Sequence, residues 1–255
     1  MKLSVSVIAR DEERDLPGLL ASLEPLRAAL GTDFEAVLLD SGSTDRTLEL
    51  AGQWGARTAR RRFDDFAAQK QACADLCAGD WVLSLDADER LTPEAATAVA
   101  AALQGRADGF TVPFRVEFMG RVLRWGGLGG ERHLRLFRRA AGRFQGSHIH
   151  EGVVVRGRVE RLEAPVLHRP YRDLGEYLAK LDAYTARGAR ARWEAGRRLR
   201  WRDHLKPGWE LFSRLVLRLG LLDGTPGVVW AMLSAFHSWL KYARLADLDR
   251  LEPRR

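Results

Sequence analysis

Three acids in four positions, Asp86, Asp88 and Glu89, close an apolar run from Trp81 to Leu85. Like charges at this spacing repel one another. A hard divalent cation with oxygen ligands relieves that repulsion, and one held there could neutralise a diphosphate leaving group. The competing reading is a solvated acidic turn that caps the next helix, as Thr92-Pro93-Glu94 could do. Two other apolar runs end the same way. Leu3 to Ala9 runs into Arg10-Asp11-Glu12-Glu13, and Glu35 to Leu39 runs into Asp40-Ser41-Gly42-Ser43-Thr44-Asp45. Acids at strand ends can accept hydrogen bonds from a base N–H or from ribose hydroxyls. Together these segments outline a site for a nucleoside diphosphate with a reactive group beyond it.

Such a site needs a scaffold that brings strand ends to one edge. Leu16, Leu19, Leu20, Leu23, Leu26 and Leu30 recur at helical spacing after the first run. The helix after the second run is expected to start near Thr44 or Asp45, both good N-caps. A short strand follows around residues 56–60, then a helix over 65–77, then the central run. This β-α-β-α-β-α-β order with short connections specifies an α/β fold with a parallel sheet. In open sheets of that kind, ligands lie beyond the C-terminal ends of the strands. A helix from Pro93 to Leu103 comes next. Shorter strands are expected at 110–118, 121–125, 133–137 and 152–159, separated by glycine-rich turns such as Gly126-Gly127-Leu128-Gly129-Gly130. From Asp173 the chain reads as three helices, over 174–193, 201–222 and 228–248.

The 255 residues suffice for one large α/β domain with a C-terminal appendage, and 46% of them are hydrophobic. A net charge of +7 directs attention to anionic partners. Cys73 and Cys77 are the two cysteines, so a zinc site or disulfide framework is not expected and a reducing compartment fits. The chain begins directly with a strand, without a signal peptide's layout, and no segment has the roughly 20 apolar residues of a bilayer span. A cytoplasmic location is the expectation. No Gly-x-Gly-x-x-Gly or Walker lysine motif is present. Residues 187–206 carry eight basic side chains against Glu194 and Asp203, interleaved with Trp193 and Trp201 and followed by Trp209. Beyond them, Val228 to Leu240 is an uncharged run of 13 residues. Basic residues and tryptophans beside an apolar helix suit a membrane surface. A helical bundle with a solvated basic face is the compatible alternative.

Val5-Ser6-Val7-Ile8-Ala9-Arg10-Asp11-Glu12-Glu13, Asp40-Ser41-Gly42-Ser43-Thr44-Asp45 and Leu83-Ser84-Leu85-Asp86-Ala87-Asp88-Glu89 resemble, in this order and spacing, the successive signatures of family-2 inverting glycosyltransferases of the GT-A fold. The resemblance covers roughly residues 1–170. Within the family it is nearest to bacterial lipopolysaccharide core β-1,4-glucosyltransferases, on Phe63-Asp64-Asp65-Phe66, Arg135-Leu136-Phe137-Arg138, His150-Glu151 and Gly220-Leu221-Leu222-Asp223-Gly224. It implies a GT-A domain over 1–170, with a nucleotide-sugar half to about residue 105 and an acceptor half over about 106–170. Residues 171–255 would form a helical, membrane-associating region.

The resemblance also implies roles for single residues. Ala9 and Glu12 would lie against the nucleotide, Asp40 would bind the uracil ring and Asp86 would sit near the ribose. Asp88 would coordinate Mg²⁺ or Mn²⁺ on the diphosphate. The family commonly has Asn-Glu where this chain has Asp11-Glu12, which would weaken or alter that contact. Lys70 falls where the family often carries a basic residue near the nucleotide; a solvent-facing helical lysine is the other reading. Inversion requires a base for the acceptor hydroxyl. Glu131 is the first candidate and Glu151 the second, although a loop glutamate is otherwise a solvated surface residue. His150 is a candidate for metal or diphosphate, and His148, on the same face of an extended chain, reads as structural. Arg135 and Arg138, three apart on a strand, would point to opposite faces, so at most one enters the site.

The expected activity is metal-dependent inverting transfer from a UDP-sugar, UDP-glucose first, onto a lipopolysaccharide-core or other lipid-linked glycan. The enzyme would sit peripherally on the inner face of the membrane, touching anionic lipid through residues 187–245. Nucleic-acid binding would explain the charge and tryptophans but leaves the cleft acids unexplained. A nucleotidyltransferase would need a Gly/Arg/Lys-rich triphosphate loop that Arg10-Asp11-Glu12-Glu13-Arg14 does not supply. An inactive nucleotide-sugar-binding scaffold is opposed by the intact Asp86 and Asp88.

Overall fold

A computed structural model describes residues 2–146 and 152–252 of the chain. They form two compact units: one runs to Phe114 and resumes over Glu131–His168, the other comprises Arg115–Gly130 and the chain from Arg169 onward.

The first unit opens with β1 (Leu3–Ala9), α1 (Leu16–Leu30), β2 (Phe34–Asp40), α2 (Thr47–Trp54), β3 (Arg57–Arg60), α3 (Phe66–Leu76) and β4 (Trp81–Asp86). The strands pair in parallel in the order β3-β2-β1-β4. Apolar residues occupy both sides of this sheet because helices cover both. Leu3, Val5 and Val7 of β1 and Leu83 and Leu85 of β4 pack with the leucines of α1, while Val37, Leu39 and Val82 turn the other way, onto Cys73 and Ala74 of α3. Leu16, Leu19, Leu20, Leu23 and Leu26 are buried as their spacing predicts, each contributing about 2 kcal/mol of hydrophobic stabilisation.

The chain then turns tightly into β5 (Glu89–Leu91) and α4 (Pro93–Ala102), followed by β6 (Gly109–Phe118), β7 (Arg121–Val122), β8 (Arg132–Arg138), β9 (Gly142–Gln145), β10 (Gly152–Val155), β11 (Val159–Arg161) and β12 (Val166–His168). β8 lies antiparallel between β4 and β6, and the sheet continues through β12 to β5. The expected strand over 121–125 shortens to two residues, and the one over 152–159 divides into β10 and β11.

In the second unit, the outer end of β6 pairs with β7, and Val116, Phe118 and Leu123 pack against Tyr171, Val229, Trp230 and Leu233. Asp173 caps α5 (Leu174–Glu194) by accepting from the Glu176 N–H at 2.8 Å. The single helix expected over 201–222 is broken. A 3₁₀ turn at Trp201–Leu205 leads to α6 (Lys206–Phe212), then a π-turn at Ser213–Leu217 and a second 3₁₀ turn at Gly220–Asp223, before α7 (Gly224–Leu251). Two features break it. A Cβ on Gly220 would stand 2.6 Å from the Arg214 carbonyl oxygen. Buried Asp223 accepts backbone N–H bonds from Arg124 at 3.1 Å and Trp125 at 2.8 Å, which fixes this corner of the chain. Among the described residues no single helix is long and apolar enough to cross a membrane; Trp201–Leu217 and Gly220–Leu251, bent by 71° at their break, meet that test as a pair.

Candidate active site

The sheet register sets the site. Ala9 pairs with Asp40 on one side, and its neighbour Ile8 pairs with Asp86 on the other. The acid-bearing ends of β1, β2 and β4 therefore stand side by side, as the strand order predicts.

The loops after β1 and β2 are tied to each other. Asp11 adopts a left-handed conformation (φ +56°), which a short polar side chain tolerates. Its carboxylate accepts from the Thr44 N–H at 2.8 Å, while its own N–H donates to Ser43 Oγ at 2.9 Å. The Glu12 N–H donates to Thr47 Oγ1 at 2.8 Å and the Glu13 N–H to Asp45 Oδ2 at 3.0 Å. Thr44 is spent on this brace, whereas Asp45 serves both: its Oδ1 also accepts from the N–H of Thr47 at 3.0 Å, where α2 begins three residues later than Thr44. Asp40 is fully buried and accepts from the backbone N–H groups of Gly42 and Ser43. Ala9 is buried beside it, its carbonyl accepting from the Ser41 N–H at 2.9 Å.

Asp86 is held from two sides. Lys70 Nζ lies 2.9 Å from Oδ1 and Arg135 Nη2 lies 3.1 Å from Oδ2. Lys70 is 5% exposed, so the solvent-facing reading of this helical lysine is overturned. Burial alone would raise the Asp86 pKa, but Arg135 and Lys70 outweigh it and hold the carboxyl well below the usual carboxylate range. Arg135 also pairs with Glu89, which is buried and accepts from the Asp86 N–H at 3.0 Å. Burial pushes Glu89 up to about 7; Arg135 opposes that shift, and repulsion from Asp86 and Asp88 adds to it. Arg138, three residues on, stacks over Trp81 with its guanidinium 4.6 Å from the ring, so one of the two arginines enters the site, as expected.

Asp88 occupies the tight turn between β4 and β5. Its Oδ2 lies 3.2 Å from His168 Nε2. The imidazole arrives through long-range pairing: β12 runs antiparallel to β5 with His168 opposite Glu89. Burial would lower the His168 pKa, but the bond to Asp88 and the charges of Asp88, Glu89 and Asp86 raise it. Arg90 fixes the turn from behind, donating to the carbonyls of Ala87 at 2.9 Å and Asp15 at 2.7 Å. Gly18 makes room for it, since a Cβ there would lie 2.5 Å from Arg90 Nε.

Phe114 joins this centre to the start of β8. The Arg135 guanidinium sits 5.1 Å from its ring centroid, and the His133 ring meets it edge-on at 4.7 Å. Glu131, mostly exposed, places Oε2 3.8 Å from His133 Nε2. Glu131, His133 and Arg135 alternate along the chain, so all three share one face. Burial, and then Arg135, lower the His133 pKa against the opposing pull of Glu131. A cavity of about 780 Å³ opens here, its lining including Lys70, His133, Arg135, Phe144, Val153 and Val154. His148, His150 and Glu151 lie outside the described residues. Among the described residues, no group of three or more His, Cys, Asp or Glu side chains is arranged to enclose a metal ion.

The site thus gathers Ala9, Glu12, Asp40, Lys70, Asp86 and Asp88 at one sheet edge, with Glu131 along β8's face. His133, His168 and Glu89 are the residues that sequence reasoning missed. Glu89 stood inside the quoted motif without a role. His168 carried one faint signal, a lone histidine ending the short apolar run Pro165-Val166-Leu167.

A mixed sheet with helices on both faces and an acidic turn at its C-terminal edge defines a GT-A-type α/β fold. Solved structures agree at the level of the fold: S. aureus TarS, residues 1–349, superposes with a TM-score of 0.52 at 14% identity, over 98% of this chain and 92% of that one. The TarS 1–349 structure in complex with UDP also gives 0.52. The profile of glycosyl transferase family 2 matches residues 4–155. Over its whole length the chain is 31% identical to the lipopolysaccharide core biosynthesis glycosyltransferase LpsC of Rhizobium meliloti (strain 1021), covering 95% of that protein. It is 23% identical to the uncharacterized glycosyltransferase RT0209 of Rickettsia typhi (strain ATCC VR-144 / Wilmington), over 97% of this chain and 88% of that one. The chain belongs to glycosyl transferase family 2.

Proposed function

We propose that this glycosyltransferase moves a hexose, glucose first among candidates, from a UDP-sugar onto a lipopolysaccharide-core or other lipid-linked glycan, with inversion at the anomeric carbon. The observation that carries the reading is the Asp86–Asp88 turn, locked by Lys70, Arg135 and Arg90 and faced by His168, at the end of the strand beside Ala9 and Asp40. The relative LpsC is named for lipopolysaccharide core biosynthesis, and TarS has been solved in complex with UDP and with UDP-GlcNAc.

In this reading Ala9 and Glu12 border the nucleotide, and buried Asp40 shapes the 41–44 loop on which the uracil would lie. Asp86, kept ionised by its two cations, is available to ribose hydroxyls. Asp88 and His168 fit a divalent cation: one carboxylate oxygen and one imidazole nitrogen, 3.2 Å apart, form a half-set that diphosphate oxygens and water would complete. Mg²⁺ or Mn²⁺ bound there would supply charge neutralisation to the departing diphosphate. His168 takes the role expected of His150. Glu131 deprotonates the acceptor hydroxyl, with His133 Nε2 3.8 Å from its carboxylate. Attack by the acceptor oxygen forms the new glycosidic bond while the bond from sugar to diphosphate breaks, leaving UDP.

The basic, tryptophan-bearing C-terminal helices would keep the enzyme peripheral on the inner face of the cytoplasmic membrane, where lipid-linked acceptors are presented. The test of the transfer reading is a panel of UDP-sugars with membrane-extracted glycolipid acceptor, read by UDP release and by the anomeric configuration of the product. A β-linked product from an α-linked donor is expected. A retained configuration discards the single-displacement scheme, and no turnover of any UDP-sugar discards the donor class.

A further inference from the structure

The second unit contains a cavity that the transfer reaction does not use. About 650 Å³ in volume, it is lined by Arg192, Arg197, Arg198, Arg200, Lys206 and Tyr242. Asp203, the acid in its wall, is already committed: Lys206 Nζ lies 2.6 Å from Oδ1, and the Arg200 backbone N–H donates to Oδ2 at 2.8 Å. Lys206 also donates to the Tyr242 hydroxyl at 2.9 Å and stands 4.8 Å from its ring centroid, with the Arg192 guanidinium 5.9 Å from the same ring. Among the described residues, no carboxylate forms an ion pair with the guanidinium of Arg192, Arg197, Arg198 or Arg200. Nearby Lys241 has its pKa lowered, first by burial and then by Arg192. Guanidinium groups so gathered repel one another, and a phosphate relieves this with paired N–H···O contacts.

The surroundings indicate which phosphate. A smaller cavity shares Asp203 and Tyr242 with the first and is walled by Leu199, Pro207, Trp239 and Ala243. Beside it Trp201, Leu205, Trp209, Phe212 and Val216 recur at intervals of three or four and are all exposed, Trp201 at 73%. On α7, Phe236 and Trp239 stack at 5.7 Å, and both are exposed. A cationic cavity bordered by exposed indoles and aliphatic chains matches a charged headgroup with acyl chains beneath it. A free phosphate would not require the apolar border, and nucleic acid would not require the aliphatic part of it.

We propose that this cavity binds the phosphate of an anionic membrane lipid, seating the C-terminal unit on the bilayer through a specific headgroup contact rather than through diffuse charge alone. The inference deepens the membrane reading above and is independent of donor and acceptor identity. Its test is sedimentation of the full chain with phosphatidylcholine vesicles, with and without phosphatidic acid. Three proteins are compared: wild type, Arg197→Gln/Arg198→Gln in the cavity, and Arg187→Gln/Arg202→Gln, which removes the same charge outside it. Binding is expected to need phosphatidic acid, to weaken about tenfold or more in the cavity variant, and to weaken by a clearly smaller factor in the control, which loses surface attraction alone. Inorganic phosphate should displace the wild type from these vesicles, a readout that needs no variant. Equal losses in the two variants would overturn the cavity while leaving surface attraction standing. No vesicle binding by wild type would overturn both membrane readings without touching the transfer reaction. Phosphate binding without vesicle binding, or tighter binding to single-stranded DNA with the same variant sensitivity, would reassign the cavity to another ligand.

Discussion

Lys70 and Arg135 grip the same carboxylate from opposite sides, and this decides what Asp86 can do. A carboxylate so compensated stays ionised through the physiological range. Asp88 lacks that double grip and faces the imidazole of His168 instead. The two acids of the turn are thus differentiated by their neighbours, one fixed in charge, the other left to share a ligand. That Arg135 and Arg138 would face opposite ways was readable from the chain, because a period of two puts every second residue on one face. The partnership of Asp88 with His168 was not, since 80 residues separate them and only the register of β12 on β5 joins them. Lys70 was ambiguous for a related reason: helical position says which face a lysine occupies, but not whether a partner waits there. Replacing Glu131 with Gln should lower kcat by about 10²- to 10⁴-fold while leaving the KM for the UDP-sugar unchanged, measured by steady-state UDP release. An unaltered kcat would remove Glu131 from the base role.

At the scale of elements, apolar periodicity carried the most information. The leucines of α1 and the continuous apolar runs of β1, β2 and β4 specified their structures, because burial on one stripe or on two faces leaves a distinct pattern. Helix starts and breaks were less legible. Thr44 and Asp45 have the chemistry of N-caps, yet Thr44 serves the brace to Asp11, and Asp45 divides its carboxylate between the Glu13 N–H and the Thr47 N–H that opens α2. The breaks between Trp201 and Gly224 depend on a close backbone approach at Gly220 and on the bonds from Arg124 and Trp125 to Asp223, neither of which leaves a local pattern. α3 allows a direct check. Cys73 and Cys77 are buried free thiols against the sheet, and burial pushes Cys77 from its ordinary value near 9 up to about 12. A thiol whose pKa is raised by folding contributes stability that is present below about pH 9 and lost as pH rises toward 12. Iodoacetamide at pH 8 should leave both thiols unmodified in the folded protein and label both in denaturant, as counted by mass spectrometry. Labelling of the native protein would mean that α3 does not seal this face.

For the whole molecule, the α/β order brings the acid-bearing strand ends to one edge, and the chain belongs to glycosyl transferase family 2. The antiparallel half was harder to read, because β8 and β12 join the sheet far from their sequence neighbours and their order follows from packing rather than from local propensity. In the second unit, Arg192, Arg197, Arg198 and Arg200 gather around Tyr242. The central claim is that Asp88 and His168 together hold the divalent cation that donor turnover requires. It is tested most directly by titrating Mn²⁺ or Mg²⁺ into UDP-sugar turnover, measured as UDP release, for wild type, Asp88→Ala and His168→Ala. Wild-type activity should vanish with chelator and return with metal. Asp88→Ala should remain inactive at every metal concentration, and His168→Ala should need about 10- to 100-fold more metal. Metal-independent turnover, or an Asp88→Ala protein indistinguishable from wild type, would contradict the account.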